Sequence, residues 1–553
     1  MLFSLLLTLF VAPQAAPSQT SAVDYFPADT LVVADFSLEP WDRLRQNTVA
    51  HPLLKELRIL RTFSDQLQLE IEGDEAFDDK YDLRKVLAES RFYLGLPATT
   101  LPAGHLLLGV DALKVSMNGD IGVVFDRFGV QYKRVGTSLL AILAIDDSSK
   151  MDDEDAQLIL QQYIDAAQPK EDSIPYTLSN QKSWKKLQAK AGGNNRVIGL
   201  WIPTEPWRDG HWRKLAERFA GDDPEFDMVM QIFGKIMTSM GVDKIEGYAL
   251  VTEVSVPFIQ DRMVVLGSGP LMELYQPYST SPEQCWQRLA QCDGASITTG
   301  VGGMDINGFA DLMMSAMSEI ALDMTGTDMF EDPEAKALID PLMDLMATIG
   351  PGMVSEGSLE HVQNTGQSQI TVSVSDVEKA KKLMAALPPE ILMGFQMGMA
   401  QAGTNFSAEW GEDCFVFGKD PGLSGESTLA DTAAFKQALP VMKDFVGDKE
   451  PIWLTYFAPA YDAFFLSSLG ETSDFFADQL DLSVLIDFSK LGTVSELEPL
   501  MHPGFAVMTR SSEGLELRSR STFGFMLPTL GIAMRSVMQE FSAMSMEFEE
   551  DEF

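Results

Sequence analysis

The stretch LVVADFSLEPWDRL, residues 31–44, joins a short apolar run to a helical pattern through a Pro-Trp pair. Three other stretches follow the same plan: VIGLWIPTEPWRDGHW from Val197, ITTGVGGMDINGFADLM from Ile297 and IWLTYFAPAYDAFFL from Ile452. Each begins with residues that favour strands and continues with apolar residues three or four positions apart. The sequence therefore predicts a strand followed by a helix at four places.

The break between each predicted strand and its helix contains residues that start helices. Pro40, Pro206 and Pro459 suit a first helical turn, where the missing amide hydrogen is no loss. Asp305 suits the capping position of the third copy, because its carboxylate can accept a free backbone N–H. These residues fix where we expect the four helices to begin.

A second element follows each copy and is typical of two strands joined by a polar turn. The four stretches are 118–146, 245–269, 350–376 and 502–524. Two amphipathic stretches, 152–167 and 375–390, follow the first and third of these and predict one additional helix each.

Strand, helix and hairpin recur in one order and at similar spacing, which indicates an internal duplication unless strand-to-helix turns merely look alike. We predict an α+β fold of two internally duplicated halves with four strand-helix-hairpin units. Each half would be an antiparallel or mixed β-sheet covered by helices. The halves would span 23–275 and 281–546, followed by an acidic tail at 547–553.

The composition is that of a folded protein with an acidic surface. The 553 residues are 45% hydrophobic and 22% charged, with a formal net charge of −40. Such a surface repels phosphate backbones, so we predict no nucleic-acid partner. The acidity favours solubility in a salty medium, or alternatively a calcium ion or a cationic partner.

The first residues resemble a secretory signal peptide. Residues 2–11 are apolar and are followed by small and polar residues, although no Lys or Arg precedes them. We expect cleavage between Ala15 and Ala22, with residues 1–22 as the signal peptide and an exported, periplasmic or extracellular mature protein. No later segment has about 18 uncharged apolar residues, so we predict no membrane-spanning helix.

Three cysteines do not form a disulfide framework. Cys285 and Cys292 would lie about 10 Å apart on one helix, so they pair only if the helix ends between them. Otherwise they are two buried thiols. Cys414 lies in an alternating apolar pattern, which indicates a strand residue with an inert thiol rather than a nucleophile.

The stretch YFPADTLVVADFS, residues 25–37, resembles the start of a large family of exported bacterial proteins known only as a domain of unknown function. STLADTAAFKQALPVMKDF, residues 427–445, and the strand at 452–457 are similar to other recurring stretches of that family. The resemblance implies an exported, duplicated α+β protein. It implies no catalytic residues.

No catalytic or cofactor motif emerges from the sequence, and we predict no cofactor. The five histidines, at positions 51, 105, 211, 361 and 502, show no metal-binding spacing. The glycine-rich stretch 298–309 follows neither phosphate-loop pattern, so we interpret it as a plain turn. The acidic stretches 146–157 and 325–335 lack calcium-loop spacing and precede predicted helices, whose starts favour carboxylates.

Methionine is the one unusual feature. The chain has 30, and several lie at helical spacing between 304 and 399. Flexible thioethers fill irregular cores or line adaptable apolar grooves. The groove interpretation gives a candidate apolar-ligand site at Met313, Met317, Met393 and Met397; the alternative is a loosely packed core.

These observations favour an exported, non-enzymatic binding or scaffold module of the cell envelope, with an apolar ligand or an envelope protein as partner. The alternative is an envelope hydrolase with dispersed catalytic carboxylates or a serine. Two carboxylates, or Ser with His, converging in a pocket would favour the hydrolase. A smooth apolar groove would favour binding.

Overall fold

The computed structural model describes residues 21–37, 86, 89–100, 105–112, 121–127, 129–144, 151–168, 177–193, 196–208, 234–235, 238–239, 241–255, 258–279, 282–325, 333–365, 368–389, 408–447, 449–471 and 493–522. The chain divides into two compact units.

The first unit is built on six strands. They are β1 Thr30–Ser37, β2 Ser90–Pro97, β3 His105–Ala112, β4 Tyr132–Val135, β5 Ser138–Ala144 and β6 Arg196–Pro203. Its described helices are α1 Ile121–Arg127, α2 Asp153–Ala167, α3 Lys182–Ala191 and α4 Glu205–Arg208. Residues 190–196, at the end of α3 and the start of β6, belong to the second unit. The strands pair antiparallel in the order β6–β1–β2–β3–β5–β4.

The two faces of this sheet are filled in different ways. On one face, α1 buries Ile121, Val124 and Phe125 against apolar side chains of β2, β3 and β5. Elsewhere the ring of Phe26 lies on β2 at Gly95, where an added Cβ would lie only 2.6 Å from the ring. The glycine at that position is therefore required by close packing rather than by backbone conformation.

The second unit contains eleven strands. They are β7 Ile245–Ser255, β8 Phe258–Gly267, β9 Tyr275–Gln276, β10 Ser296–Met304, β11 Ile349–Ser358, β12 Gln369–Val374, β13 Ala408–Trp410, β14 Cys414–Phe417, β15 Pro451–Phe457, β16 Gly504–Ser511 and β17 Gly514–Ser521. The described helices of the second unit are α5 Pro270–Glu273, α6 Pro282–Gln291, α7 Ile306–Thr325, α8 Pro333–Met346, α9 Leu359–Thr365, α10 Val377–Ala386, α11 Ala433–Val446, α12 Pro459–Glu471 and α13 Val494–Leu497.

Strands of the second unit pair antiparallel in the order β7–β8–β17–β16–β15–β10–β11–β12–β14–β13. The short β9 pairs with the end of β10. Helices α6 and α11 pack on one face, over a core that includes Val354 of β11. Helices α8 and α10 pack on Val372 of β12. Because Val354 lies opposite Thr371, Val372 points to the other face, so helices cover both.

The predicted fold of two duplicated halves, each with its own sheet, is wrong, although the fold is α+β overall. The strands of the second unit belong to one antiparallel sheet, which includes strands from both sides of the predicted boundary at 275–281. The hairpin β7–β8, predicted to belong to the first half, pairs through β8 with β17 over eight residues. That pairing satisfies backbone groups on two strand edges, which separate sheets would leave exposed.

Two of the four predicted hairpins also differ from the structure. Residues 121–127, predicted as a strand, form α1, because Ile121, Val124 and Phe125 are buried at helical spacing. In the third stretch, helix α9 joins β11 to β12. The hairpins β7–β8 and β16–β17 are confirmed, as are the two additional helices, which are α2 and α10.

The predicted helix starts that fall among the described residues are confirmed. Asp305 Oδ1 accepts the backbone N–H of Gly308 at 2.9 Å, so Asp305 caps α7. Pro459 is the first residue of α12. Pro40 lies outside the described residues. Within the described part of the chain, no helix combines the length and the apolar character needed to cross a membrane.

Asp462 is a buried carboxyl group in the first turn of α12. It is 3% exposed, and its Oδ2 accepts the backbone N–H of Thr522 at 3.0 Å. Burial raises the pKa of Asp462 to about 7, although hydrogen bonds from Thr522 lower it. The contact ties α12 to the end of β17.

We expect Asp462→Asn to remove a pH dependence of stability. The wild-type carboxyl group ionises near pH 3.8 in the unfolded chain and near pH 7 in the folded one. Between these values only the folded state holds the proton, so the free energy of unfolding falls as pH rises. At about 1.4 kcal/mol per pKa unit, the variant should gain up to about 4 kcal/mol over the wild type between pH 4 and pH 7. Urea unfolding of the variant and the wild type at pH 4.5 and pH 8 measures this. A difference in unfolding free energy between the two proteins that is the same at both pH values would contradict the prediction.

A second prediction concerns a buried tryptophan in the first unit. Trp201 is fully buried, and its Nε1 donates to Asp35 Oδ2 at 2.6 Å. Trp201→Phe removes this donor from a buried carboxylate, so we expect a loss of about 1–3 kcal/mol in unfolding free energy. Trp453→Phe is the matched control, because Trp453 Nε1 donates to Thr455 Oγ1 in a half-buried setting. Equal losses in urea unfolding of the two variants would contradict the prediction.

Candidate functional site

An open cleft of about 560 Å³ lies in the second unit, between the start of α10 and the turn that joins β13 to β14. We call it the Trp410 cleft. Its lining residues are Asp376, Val377, Glu378, Lys381, Trp410, Gly411 and Glu412. Three carboxylates and one lysine therefore surround one aromatic ring.

The acidic side of the cleft follows from how α10 begins. Asp376 caps the helix, and its Oδ1 accepts the backbone N–H of Lys379 at 2.9 Å. Glu378 follows in the first turn and pairs with Lys381, with Oε1 and Nζ 3.2 Å apart. Both partners of this pair are exposed enough that the pair contributes little to stability.

The other side of the cleft is apolar. Trp410 is half-buried at the end of β13, and its ring lies 4.5 Å from that of Phe415 between centroids. The two residues are cross-strand partners. Val377 and Trp410 both pack against the core beneath α8 and α10. Packing therefore fixes the tryptophan ring before any ligand arrives.

The cleft has a negative electrostatic character. Asp376, Glu378 and Glu412 are exposed, and Lys381 is the one cation among the described residues that line the cleft. The start of α10 adds roughly half a positive charge. The balance still leaves more than one negative charge beside the ring, which favours a cation over an anion.

The structure describes two of the four methionines predicted to line an apolar groove. Met313 is half-buried and Met317 is 46% exposed, both on α7. Met393 and Met397 lie outside the described residues. The four-methionine groove stays a prediction.

The cysteines have no environment that would activate them. Cys285, Cys292 and Cys414 are free thiols, although α6 ends just before Cys292. Burial raises the pKa of Cys285 to about 12. Burial, and after it the charge of Glu356, raises the pKa of Cys292. Cys414 lies on β14 as predicted but is only half-buried, and burial followed by Asp413 raises its pKa. Protonated thiols are poor nucleophiles.

Histidines and carboxylates do not assemble a metal site in the described part of the chain, where no group of three or more His, Cys, Asp or Glu could hold an ion. His105 is buried on β3, whereas His361 and His502 are half-buried. His51 and His211 lie outside the described residues.

Sequence reasoning missed the Trp410 cleft. Trp410 ends a strand of only three residues, and so short a segment shows no alternation. Asp376 caps a helix that the sequence predicts, but the turn that lies beside it is 35 residues away along the chain. Only the pairing of β12 with β14 brings the two together.

Comparisons with known proteins provide no assignment. No family model matches the chain, and no curated protein matches it. One solved structure that matches, described as "Structure of crystal form I of TP0453", has 11% sequence identity and a TM-score of 0.20. The match covers 45% of this chain and 80% of that chain. So low a TM-score says nothing about the fold or function of this protein.

Proposed function

We propose that this protein is an exported, non-enzymatic binding protein of the cell envelope. Its ligand would have a positively charged group attached to an apolar part. The observation that carries this proposal is the Trp410 cleft, in which a fixed aromatic ring lies beside exposed carboxylates. A cleft of about 560 Å³ is within the usual range for small-molecule sites.

The chemistry of the cleft suits an organic ammonium group. A cation over the face of a tryptophan ring gains about 0.5–2 kcal/mol, depending on how far it is desolvated. The carboxylates of Glu378 and Glu412 add charge attraction from the rim. This ligand class also fits the acidic composition, for which a cationic partner is one interpretation.

The cleft favours binding over the alternative of an envelope hydrolase. A general acid at neutral pH needs a carboxyl group whose pKa is raised by burial. The three carboxylates of the cleft are exposed, and two of them are engaged by Lys379 N–H and Lys381. Asp462 has a raised pKa but is 3% exposed, so a substrate does not reach it.

Export to the periplasm or the cell exterior rests on the apolar run at 2–11 and stays a proposal, as does membership of the family of exported proteins. The absence of a nucleic-acid partner rests on the charge of −40. The groove predicted at Met313, Met317, Met393 and Met397 remains a second candidate surface, for an apolar ligand or an envelope protein.

Binding of benzyltrimethylammonium, followed by isothermal titration calorimetry, tests the Trp410 cleft. We expect Trp410→Ala to weaken binding about tenfold and Glu412→Gln about threefold, because the first removes the ring and the second one rim charge. Trp410→Phe keeps a ring and the contact with Phe415, so it should retain most of the affinity. Benzyl alcohol, which lacks the charge, should bind far more weakly.

Glu426→Gln is the matched control, since Glu426 is exposed, lies outside the cleft and loses the same charge. Equal effects of Glu412→Gln and Glu426→Gln would assign the attraction to net charge rather than to the cleft. Failure of the wild-type protein to bind the ammonium probe would exclude organic ammonium compounds as ligands of the Trp410 cleft.

The amino terminus of the mature protein gives a separate test of export. Ser21 Oγ donates to Asp111 Oδ2 at 2.5 Å, and Ala22 N–H donates to Asp111 Oδ1 at 2.6 Å. Cleavage after Ala22 would remove both donors from a half-buried carboxylate. We therefore expect signal cleavage before Ser21, with Ser21 and Ala22 retained. Amino-terminal sequencing of the protein from its host envelope measures this, and an intact Met1 would contradict export by a cleaved signal.

A further inference from the structure

Three arginines lie together on one face of the second unit's sheet. Arg262 of β8 is directly opposite Arg518 of β17 in the antiparallel register. Arg520 is two residues further along β17 and therefore points to the same face. We call Arg262, Arg518 and Arg520 the arginine face. In a chain with a net charge of −40, this concentration of positive charge needs an explanation.

Arg518 is held in place by aromatic and polar contacts. Its guanidinium carbon lies 4.0 Å from the centroid of the Phe445 ring, and its Nη1 donates to the Phe445 carbonyl at 3.4 Å. Its Nε is 3.8 Å from Oε1 of Glu516. Burial, and after it the charge of Arg262, lowers the pKa of Arg518, although the charges of Glu516 and Glu253 raise it.

Arg262 shares the same counter-charge. Its Nε lies 3.5 Å from Oε1 of Glu516, and its Nη1 donates to the carbonyl of Lys190 at 2.9 Å. Lys449 Nζ also contacts Glu516, at 2.6 Å from Oε2. One carboxylate therefore serves three cations.

Arg520 has no carboxylate partner among the described residues. Its guanidinium carbon lies 3.6 Å from the centroid of the Phe258 ring, and its cross-strand neighbour on β8 is the neutral Gln260. The Nε of Arg520 is buried without a hydrogen-bond partner in the described part of the chain. A buried charged donor of this kind costs free energy unless something accepts from it.

The charges around the arginine face do not balance. Like charges directly opposite in an antiparallel pair destabilise a sheet, and Arg262 and Arg518 form such a pair. Among the described residues, three arginines and Lys449 face two carboxylates, those of Glu516 and Glu253. Glu253 lies on β7, opposite Gln260. The sheet thus retains about two positive charges that a doubly charged anion would neutralise.

We propose that Arg262, Arg518 and Arg520 form a binding site for a phosphate group. Cation–π contacts hold two of the guanidinium groups, with Arg520 3.6 Å from the Phe258 ring centroid and Arg518 4.0 Å from that of Phe445. A guanidinium group presents five N–H donors in a planar fork. Donors in this fork geometry bind phosphate oxygens in pairs. The phosphate would be either a free anion or ester, or the headgroup of an anionic lipid.

The experiment uses the full mature protein with inorganic phosphate in one arm and lipid vesicles in the other. Phosphate binding is followed by calorimetry in a phosphate-free buffer. Vesicle binding is followed by co-sedimentation with phosphatidylglycerol, against phosphatidylcholine. We expect binding in at least one arm, with the phosphatidylcholine vesicles left unbound.

Arg520→Gln should weaken that binding at least tenfold, because it removes the arginine that pairs with no carboxylate in the described part of the chain. Arg520→Lys keeps the charge but loses the fork, so binding should fall about threefold to tenfold. Arg134→Gln, at the exposed position of β4 in the first unit, makes the same charge change and should leave binding intact.

The outcomes separate the sources. Binding of inorganic phosphate that Arg520→Gln abolishes supports a free anion or ester, whereas sensitivity confined to the phosphatidylglycerol arm supports a lipid headgroup. Absence of binding in both arms overturns the proposal. Binding that Arg520→Gln leaves unchanged also overturns it, and so does binding that Arg134→Gln weakens as much as Arg520→Gln does. If Arg520→Gln does not fold, Arg520→Lys decides, and unchanged affinity in Arg520→Lys overturns the site.

Discussion

Backbone pairing between β8 and β17 is the constraint on which the second unit depends. Each strand belongs to a hairpin, and a two-stranded hairpin alone is marginally stable in water. Joining residues 259–266 to 514–521 satisfies an edge of each hairpin and builds a ten-strand ladder. The same register sets the side-chain chemistry, because it places Arg262 opposite Arg518. A one-residue slip would move Arg518 out of its place opposite Arg262 and Arg520 away from the Phe258 ring that holds it.

Sequence patterns predicted the elements whose causes are local. The alternation in 245–267 and the capping carboxylates Asp152 and Asp376 act within a few residues, and the structure has the hairpin and both helices. The pairing of β8 with β17 has no such signal, since any strand edge offers the same N–H and C=O groups. The prediction of two separate sheets failed at this point. The prediction for residues 121–127 failed for another reason, because four hydrophobic residues in seven fit a buried strand or a helix.

The two candidate sites differ in how much of each could be predicted from the sequence. In LELRSRS, at 515–521, every second residue points to one face, so Arg518 and Arg520 could be placed together from the sequence. Their unbalanced charge could not, because Arg262 is about 250 residues away. The Trp410 cleft depends on β12–β14 pairing and on the capped start of α10, which are joined only in three dimensions. The methionines gave a compositional signal, and composition does not say whether Met317 faces a groove or open solvent.

Because of the net charge of the chain, ligand binding at the two candidate sites depends on salt concentration in different ways. A charge of −40 attracts cations and repels phosphate at long range, and salt screens that field over about 8 Å at physiological ionic strength. The negative charge of the Trp410 cleft adds to the negative field of the whole chain. Salt therefore weakens the attraction between the cleft and a cation at every distance. The positive charge of the arginine face opposes the negative field of the chain. Salt there relieves the repulsion that a phosphate meets on approach, while contacts to partly buried Arg520 are screened less. A single acidic chain can therefore hold ligands of opposite charge, provided that the anion site is local, desolvated and held by stacked rings.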